Sequence, residues 1–315
     1  MSDFVAPFPW FGGKRRVAPI VWRALGDVKN FVEPFFGSGA VLLGRPHEPH
    51  TETVNDLDGF VANAWRSIQA EPDAVAHYAD QPVNECDLHA RHLWLVQQRD
   101  LLAARLMGDH TYYDPIIAGY WLWGMACWIG GEFCSGKGPW HSVDGQLTKL
   151  ESDCGQGVNR QRVHLGNSGK GVKRSGLGEA GLLAWMQALA ERLRYVRVCC
   201  GDWPRVLGPS PTYKLGLTGV FLDPPYARSE RAKDIYTVEA DVSDAVREWA
   251  LDNGDNPKLR IVLAGYDGEH DMPDTWRCVA WKAHGGYGNQ GNGKGHANAK
   301  RERLWLSPHC LEVHP

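Results

Sequence analysis

The run Val220-Phe221-Leu222-Asp223-Pro224-Pro225-Tyr226 sets a carboxylate, two prolines and a phenol directly after a short apolar stretch. Such a stretch reads as a buried strand, and the carboxyl ends of strands in open α/β sheets are where ligands bind. Proline has no N–H and a fixed φ, so the turn is stiff and its carbonyls are left to face a ligand. Asp223 is then placed to accept one hydrogen of an amine and the Pro224 carbonyl the other, while Tyr226 offers a flat face for a base. That set suits one kind of chemistry. The lone pair of a nucleobase amine is delocalised into its ring and attacks poorly. Two acceptors that favour a tetrahedral nitrogen return density to it, and an electrophile held in line completes a displacement by proximity. A base inside a duplex must swing out to reach such a pocket, at a cost of a few kcal/mol. Taken alone, the same string also fits a strand followed by a rigid turn.

Other residues of the right type stand in order along the chain. Pro9-Trp10-Phe11-Gly12-Gly13-Lys14 brings a cation after two glycines. Phe31-Val32-Glu33-Pro34-Phe35-Phe36-Gly37-Ser38-Gly39-Ala40-Val41 reads as a strand leading into a tight turn with exposed N–H groups. Asn55-Asp56 ends a second strand, where an acid can take ribose hydroxyls or cap the next helix. Gly201-Asp202-Trp203 closes a third.

In this order, and together with Glu302-Arg303-Leu304-Trp305-Leu306-Ser307, these segments resemble the Dam-like adenine-N6 DNA methyltransferases whose cofactor motif precedes the DPPY motif. The resemblance spans Pro9 to Ser307. It implies S-adenosylmethionine as cofactor, double-stranded DNA as partner, and transfer of a methyl group to the N6 amine of a flipped adenine. It gives Asp223, Pro224, Pro225 and Tyr226 the catalytic places. Trp10, Lys14, Glu33, Pro34, Phe35, Gly37, Gly39, Asp56, Asp202 and Trp203 take the cofactor places, with Lys14 near the cofactor's carboxylate. Asn159 to Asn167 is similar to phage-encoded members, which makes a restriction-modification or phage setting the expected one. Two rivals share the acceptor geometry or the binding: methylation of cytosine N4, and a DNA-binding protein with a retired active site. An RNA substrate is a third. Asp with Tyr leans toward adenine, since Ser-Pro-Pro-Tyr motifs go with cytosine.

The elements that must position these groups can also be read. Helices are expected from Val17 to Leu25, from Leu57 with Phe60, Val61, Ala64, Trp65 and Ile68 on one face, through much of Pro72 to Pro115, at Ile116 to Ile129, and at Leu182 to Leu193. Leu93, Val96, Leu101, Leu102 and Leu106 form the expected apolar stripe of the long middle segment. Strands are expected at Tyr195–Cys200, Gly219–Leu222 and Leu259–Ala264, with Arg277–Ala283 and Arg303–Leu306 paired as a hairpin. Strands alternating with helices imply a mostly parallel, Rossmann-like class I methyltransferase sheet with a C-terminal β-hairpin. Residues 1–71 and 179–315 are expected to form the catalytic domain. Residues 72–178 are expected to be an inserted, partly helical target-recognition segment, irregular from Gly130 to Gly178.

Charge and composition narrow the partners. The 315 residues carry a net charge of -3, so a DNA binder needs its positive charge gathered locally. Gln156 to Arg197 holds Arg160, Arg162, Lys170, Lys173, Arg174, Arg192, Arg194 and Arg197 against Glu179 and Glu191. Arg160, Arg162, Lys170, Lys173 and Arg174 are the candidate nucleic-acid contacts. A second cluster runs Arg277, Lys282, Lys294, Lys300, Arg301 and Arg303. The 14 Trp are expected mainly in the core. Gly131 to Lys137 imitates a phosphate-binding loop but continues Gly138-Pro139, without the hydroxyl that holds magnesium. Neither the cysteines nor His110, His141 and His164 have the spacing of a metal site. The run Ile116–Gly131 falls short of the ~20 residues of a membrane span. No membrane partner is expected, and a cytoplasmic location is.

Overall fold

The computed structural model describes residues 4–10, 14–128, 133–134, 140–143, 146–149, 181–225, 236–281 and 301–313. Its elements are α1 (Ala18–Leu25), β1 (Asn30–Glu33), α2 (Ala40–Leu43), β2 (Thr51–Asp56), α3 (Gly59–Ala70), α4 (Pro72–Ala79), α5 (Glu85–Gly108) and α6 (Pro115–Cys127). They continue with β3 (Trp140–Val143), β4 (Gln146–Lys149), α7 (Gly181–Leu193), β5 (Val196–Cys200), β6 (Thr218–Leu222), α8 (Tyr236–Asn253), β7 (Leu259–Tyr266), β8 (Arg277–Ala280) and β9 (Glu302–Leu306).

The helix boundaries follow local chemistry. α1 has Pro19 in its first turn and stops at Gly26, whose φ of 66° suits glycine. Asp58, Asn84 and Asp114 accept backbone N–H groups at the starts of α3, α5 and α6. β1 and β6 are buried along their whole length, as strands covered on both faces must be. Their side chains alternate between two cores. Phe31, Phe221, Val262 and Ala264 join the layer of α1, α3 and α7. Val32, Val220, Leu222, Ile261 and Leu263 join Val246 and Ala250 of α8 on the other face.

The sheet has seven strands in the order β5-β2-β1-β6-β7-β9-β8. The first five are parallel, and β9 lies antiparallel between β7 and β8. This is the mostly parallel Rossmann-like sheet with an antiparallel C-terminal pair that the sequence implies. The chain builds outward from β1 through β2 to β5, then returns to the other side at β6. The β1–β6 boundary is therefore the switch point, where strand ends open a crevice. Helix α6 packs against α4 and α5, all three pack onto α3, and α4 also touches α7. Gly119 of α6 has no side chain because a Cβ there would strike Tyr78 of α4.

Several expectations change. α8 carries no strong one-sided apolar pattern and was not expected. The stretch Gly130–Gly178 contains a two-stranded antiparallel ribbon, β3 with β4, inside the segment expected to be irregular. Leu101 is half-exposed at 51%, so Leu88, Leu95, Leu102 and Leu106, spaced by seven, seven and four, are the true stripe of α5. Tyr195 lies outside β5 and is exposed. Arg192 is not a surface phosphate contact, because its guanidinium is buried on Glu52 at 2.7 Å. Arg277 donates to the carbonyls of Cys310 and Leu311, and Arg303 pairs with Asp267, so these two also serve the fold. Among the described residues no helix is long and apolar enough to cross a membrane.

Candidate active site

Three parallel strands, adjacent in the order β2-β1-β6, end on one rim with an acid each: Asp56, Glu33 and Asp223. Short connections turn each strand end into a wall. After β1 the chain passes Pro34 and Phe35, and Gly37 and Gly39 adopt φ of 47° and 61°. Glycine is required at Gly37, since a Cβ would meet the indole of Trp10 as well as strain the backbone. Asp56 grips this turn by accepting Gly37 N–H at 2.8 Å, and it also accepts Asp58 N–H at 2.9 Å. Trp65 of α3 donates to the Gly37 carbonyl at 2.9 Å. Asp58, not Asp56, caps α3.

Asn55, named in the sequence only as the neighbour of Asp56, has a positioning role of its own. Its buried amide donates to Pro34 O at 3.1 Å and to Gly201 O at 2.8 Å, tying the turns after β1 and β5 to the end of β2. Its place before Asp56 was visible in the sequence, but its two long-range partners were not. At the third turn Asp202 accepts Trp203 N–H, and Trp203 lies 6.3 Å from Phe35 with the rings 30° apart. Asp202 is exposed and Trp203 half-buried, so both line the rim.

Lys14 is where the structure differs most from a bare reading of the sequence. It is 7% exposed, and its ammonium lies 3.0 Å from Asp223 Oδ1. Burial acts to lower its pKa, but Asp223 and Glu302 outweigh that and the net shift is upward. The cation therefore answers the Asp223 carboxylate across the rim. Asp223 is half-buried, Pro224 buried and Pro225 exposed. Tyr226 lies outside the described residues, as do Arg160, Arg162, Lys170, Lys173 and Arg174. Trp10, 36% exposed, stands against Phe8 at 5.9 Å, and Phe8 packs 5.0 Å from Trp121.

Glu33 and Asp56 sit in a field that resists negative charge. Glu33 is 3% exposed, the Leu42 N–H donates to it, and its Oε2 has no hydrogen-bond partner. Burial, then the charge of Asp223, pushes its pKa well above the ordinary value. Burial and Asp58 push Asp56 up to about 7. A rim so arranged fits a ligand that brings positive charge and hydroxyl groups. A separate apolar cavity of about 860 Å³ lies between the N-terminal segment, α1 and α2, and it includes Trp10 and Ser38 but none of the rim acids.

Comparison with known proteins agrees with this placement. Residues 10–93, which carry Trp10, Lys14, Glu33, the glycine turn and Asp56, match the model of the D12 class N6 adenine-specific DNA methyltransferases. The chain is 25% identical over 184 residues to a DNA N-6-adenine-methyltransferase of Escherichia phage P1, covering 55% of this chain and 22% of that protein. It is 31% identical over 70 residues to the DNA adenine methylase of two Vibrio cholerae O1 strains, covering 22% of this chain and 24% of each relative. The chain thus matches less than a quarter of the length of these curated relatives. Residues 10–93, which include the glycine turn and its flanking acids, are thus similar to the D12 class N6 adenine-specific DNA methyltransferases.

Proposed function

We propose that the protein transfers a methyl group from S-adenosylmethionine to the N6 amine of an adenine swung out of double-stranded DNA. The observation that carries this reading is the delivery of Asp223 by β6 to the switch point, next to the glycine turn of a D12-type segment. The residues present fit the cofactor. Glu33 has an unsatisfied buried oxygen, Asp56 is an acid at the strand end nearest the glycine turn, and Gly37 lets backbone approach closely. Glu33, the Gly37–Gly39 turn, Asp56, Asp202 and Trp203 would hold it, with Trp10 over the turn. When bound, the cofactor supplies an electrophilic methyl on a sulfonium.

Asp223 accepts one hydrogen of the target amine and the Pro224 carbonyl the other, which returns the lone pair to nitrogen. Lys14 holds Asp223 Oδ1 at 3.0 Å, which keeps the carboxylate from rotating. Tyr226 stacks on the base. Asn55 keeps the two turns that flank the crevice in register. Residues 72–178 form the target-recognition segment, with Arg160, Arg162, Lys170, Lys173 and Arg174 on phosphates or bases. The catalytic part is then 1–71 with 179–315, and the protein acts in the cytoplasm where its DNA is.

The test is transfer of a labelled methyl group to unmethylated duplex DNA, followed by mass spectrometry of the nucleosides. N6-methyladenine is the expected product. N4-methylcytosine would replace the adenine reading, and DNA binding without transfer would replace the enzymatic one.

A further inference from the structure

The carboxyls around the switch point differ in what answers them. Asp223 has the Lys14 ammonium at 3.0 Å. Glu52, lower on β2, is held by Arg45 at 3.2 Å and by Arg192 at 2.7 Å. Asp56 takes two peptide N–H groups, and Asp58 has Arg99 near it. Glu302 and Tyr266 face Lys14 from the β7–β9 side. Glu33 sits in the middle, on the central strand of the three. It has the Leu42 amide on one side, an orphaned Oε2 on the other, and Asp223, Glu52 and Asp56 as its charged neighbours, all three negative.

A carboxyl buried to this degree with no cation beside it among the described residues takes a proton instead of a charge. The cofactor proposed above carries a sulfonium, an ammonium and a carboxylate, a net charge of one positive unit. Its arrival beside Glu33 reverses the local balance, because an ion pair in a water-poor crevice outweighs the repulsion from the flanking acids. We propose that Glu33 is protonated in the cofactor-free protein and becomes the counter-ion of the cofactor on binding, releasing one proton to solvent for each cofactor taken up. The balance is simple: the Glu33 O–H bond breaks, the proton leaves to water, and the carboxylate remains opposite the incoming cation. Nothing is oxidised or reduced. Cofactor capture is thereby made dependent on pH in a step separate from chemistry.

This inference rests on the proposed use of S-adenosylmethionine, and calorimetry separates the two. The heat of S-adenosylmethionine binding to the full chain is measured near pH 7 in two buffers of different ionisation enthalpy, without DNA. Close to one proton released is expected in the native protein, with affinity rising by about tenfold per pH unit where Glu33 is still protonated. Glu33→Gln, a neutral isostere of the protonated acid, is expected to keep only the fractional release that Asp56 contributes and to show a shallower pH profile than the native protein. Asp56→Asn should retain the Glu33 proton and lose only the fraction that Asp56 contributes. Normal binding without proton exchange in the native protein overturns the inference but leaves the proposed function intact. Release from Glu33→Gln equal to that of the native protein overturns it too. No binding heat in either buffer would overturn both. The native measurement needs no variant, so a folding defect in Glu33→Gln does not protect the idea.

Discussion

At the scale of single residues, the site depends on a carboxylate being held rather than merely present. Asp223 is 20% exposed at its side chain and Lys14 8%, so the pair is largely but not wholly removed from water. Breaking a buried pair by deleting one partner costs about 3–5 kcal/mol, and partial exposure puts this one at about 3 or less. Lys14→Met is therefore expected to lower the unfolding midpoint and to cut methyl transfer by at least tenfold, while Lys14→Arg restores much of both. Equal loss in Met and Arg variants would show that the ammonium's charge is not what matters. Asp223→Ala is expected to abolish transfer and spare cofactor binding, and full activity in that variant would falsify its catalytic role. The acids and glycines of this site were legible because strand ends and turns confine them to a few residue types. The partner of Lys14 was not legible. Residues 14 and 223 are far apart in the chain, and only the sheet order brings the two together.

At the scale of elements, the turn after β1 carries the strictest demand. Gly37 combines a positive φ with an indole where a Cβ would stand. Gly37→Ala has to strain the backbone or push Trp10 aside, at about 1–3 kcal/mol. It should weaken S-adenosylmethionine binding by tenfold or more and leave the far-ultraviolet circular dichroism unchanged. An affinity equal to the native protein's would mean that the turn is not on the cofactor. Most elements were readable for reasons that the structure makes plain. α1, α3 and α7 have one-sided apolar spacing, and β1 and β6 are short apolar runs between turn residues. α8 was missed because Tyr236–Asn253 mixes acids, Ser and Thr with only a thin stripe, Val246 and Ala250, facing the sheet. In α5 the stripe was misplaced, because Leu101 and Leu102 are adjacent and only one of them can face α3. Arginine roles are hard to read from sequence. Arg66 is buried and donates to carbonyls of Val198, Leu106, Asp109 and Tyr112, stitching α3 to β5 and to the end of α5, a role that resembles a surface charge in the sequence.

At the scale of the whole molecule, two charge patterns make opposite claims on the solvent. The proposed binding to DNA would draw on the basic run between Gln156 and Arg174. If Arg160 and Arg162 each neutralise a phosphate, Arg160→Ala with Arg162→Ala should reduce the slope of log affinity against log salt by about 2. An unchanged slope clears them of phosphate contact. The acidic rim acts on stability instead. Glu33 in the folded chain holds its proton well above the 4.5 of an ordinary glutamate, and Asp56 holds one up to about 7 against 3.8. Over the pH range above those ordinary values the native state therefore binds more protons than the unfolded chain, and stability falls as pH rises. The contribution is complete below about pH 4 and lost as each group ionises in the folded protein. Glu33→Gln removes the titrating proton but keeps the shape. In the cofactor-free protein it should match native stability at pH 4–5 and exceed it by several degrees in unfolding temperature at pH 8. The difference between the two proteins cancels the slopes of all other carboxyls. A variant that is less stable than the native protein at pH 8 would mean that Glu33 is already charged and answered there, and that the rim is built for its anion.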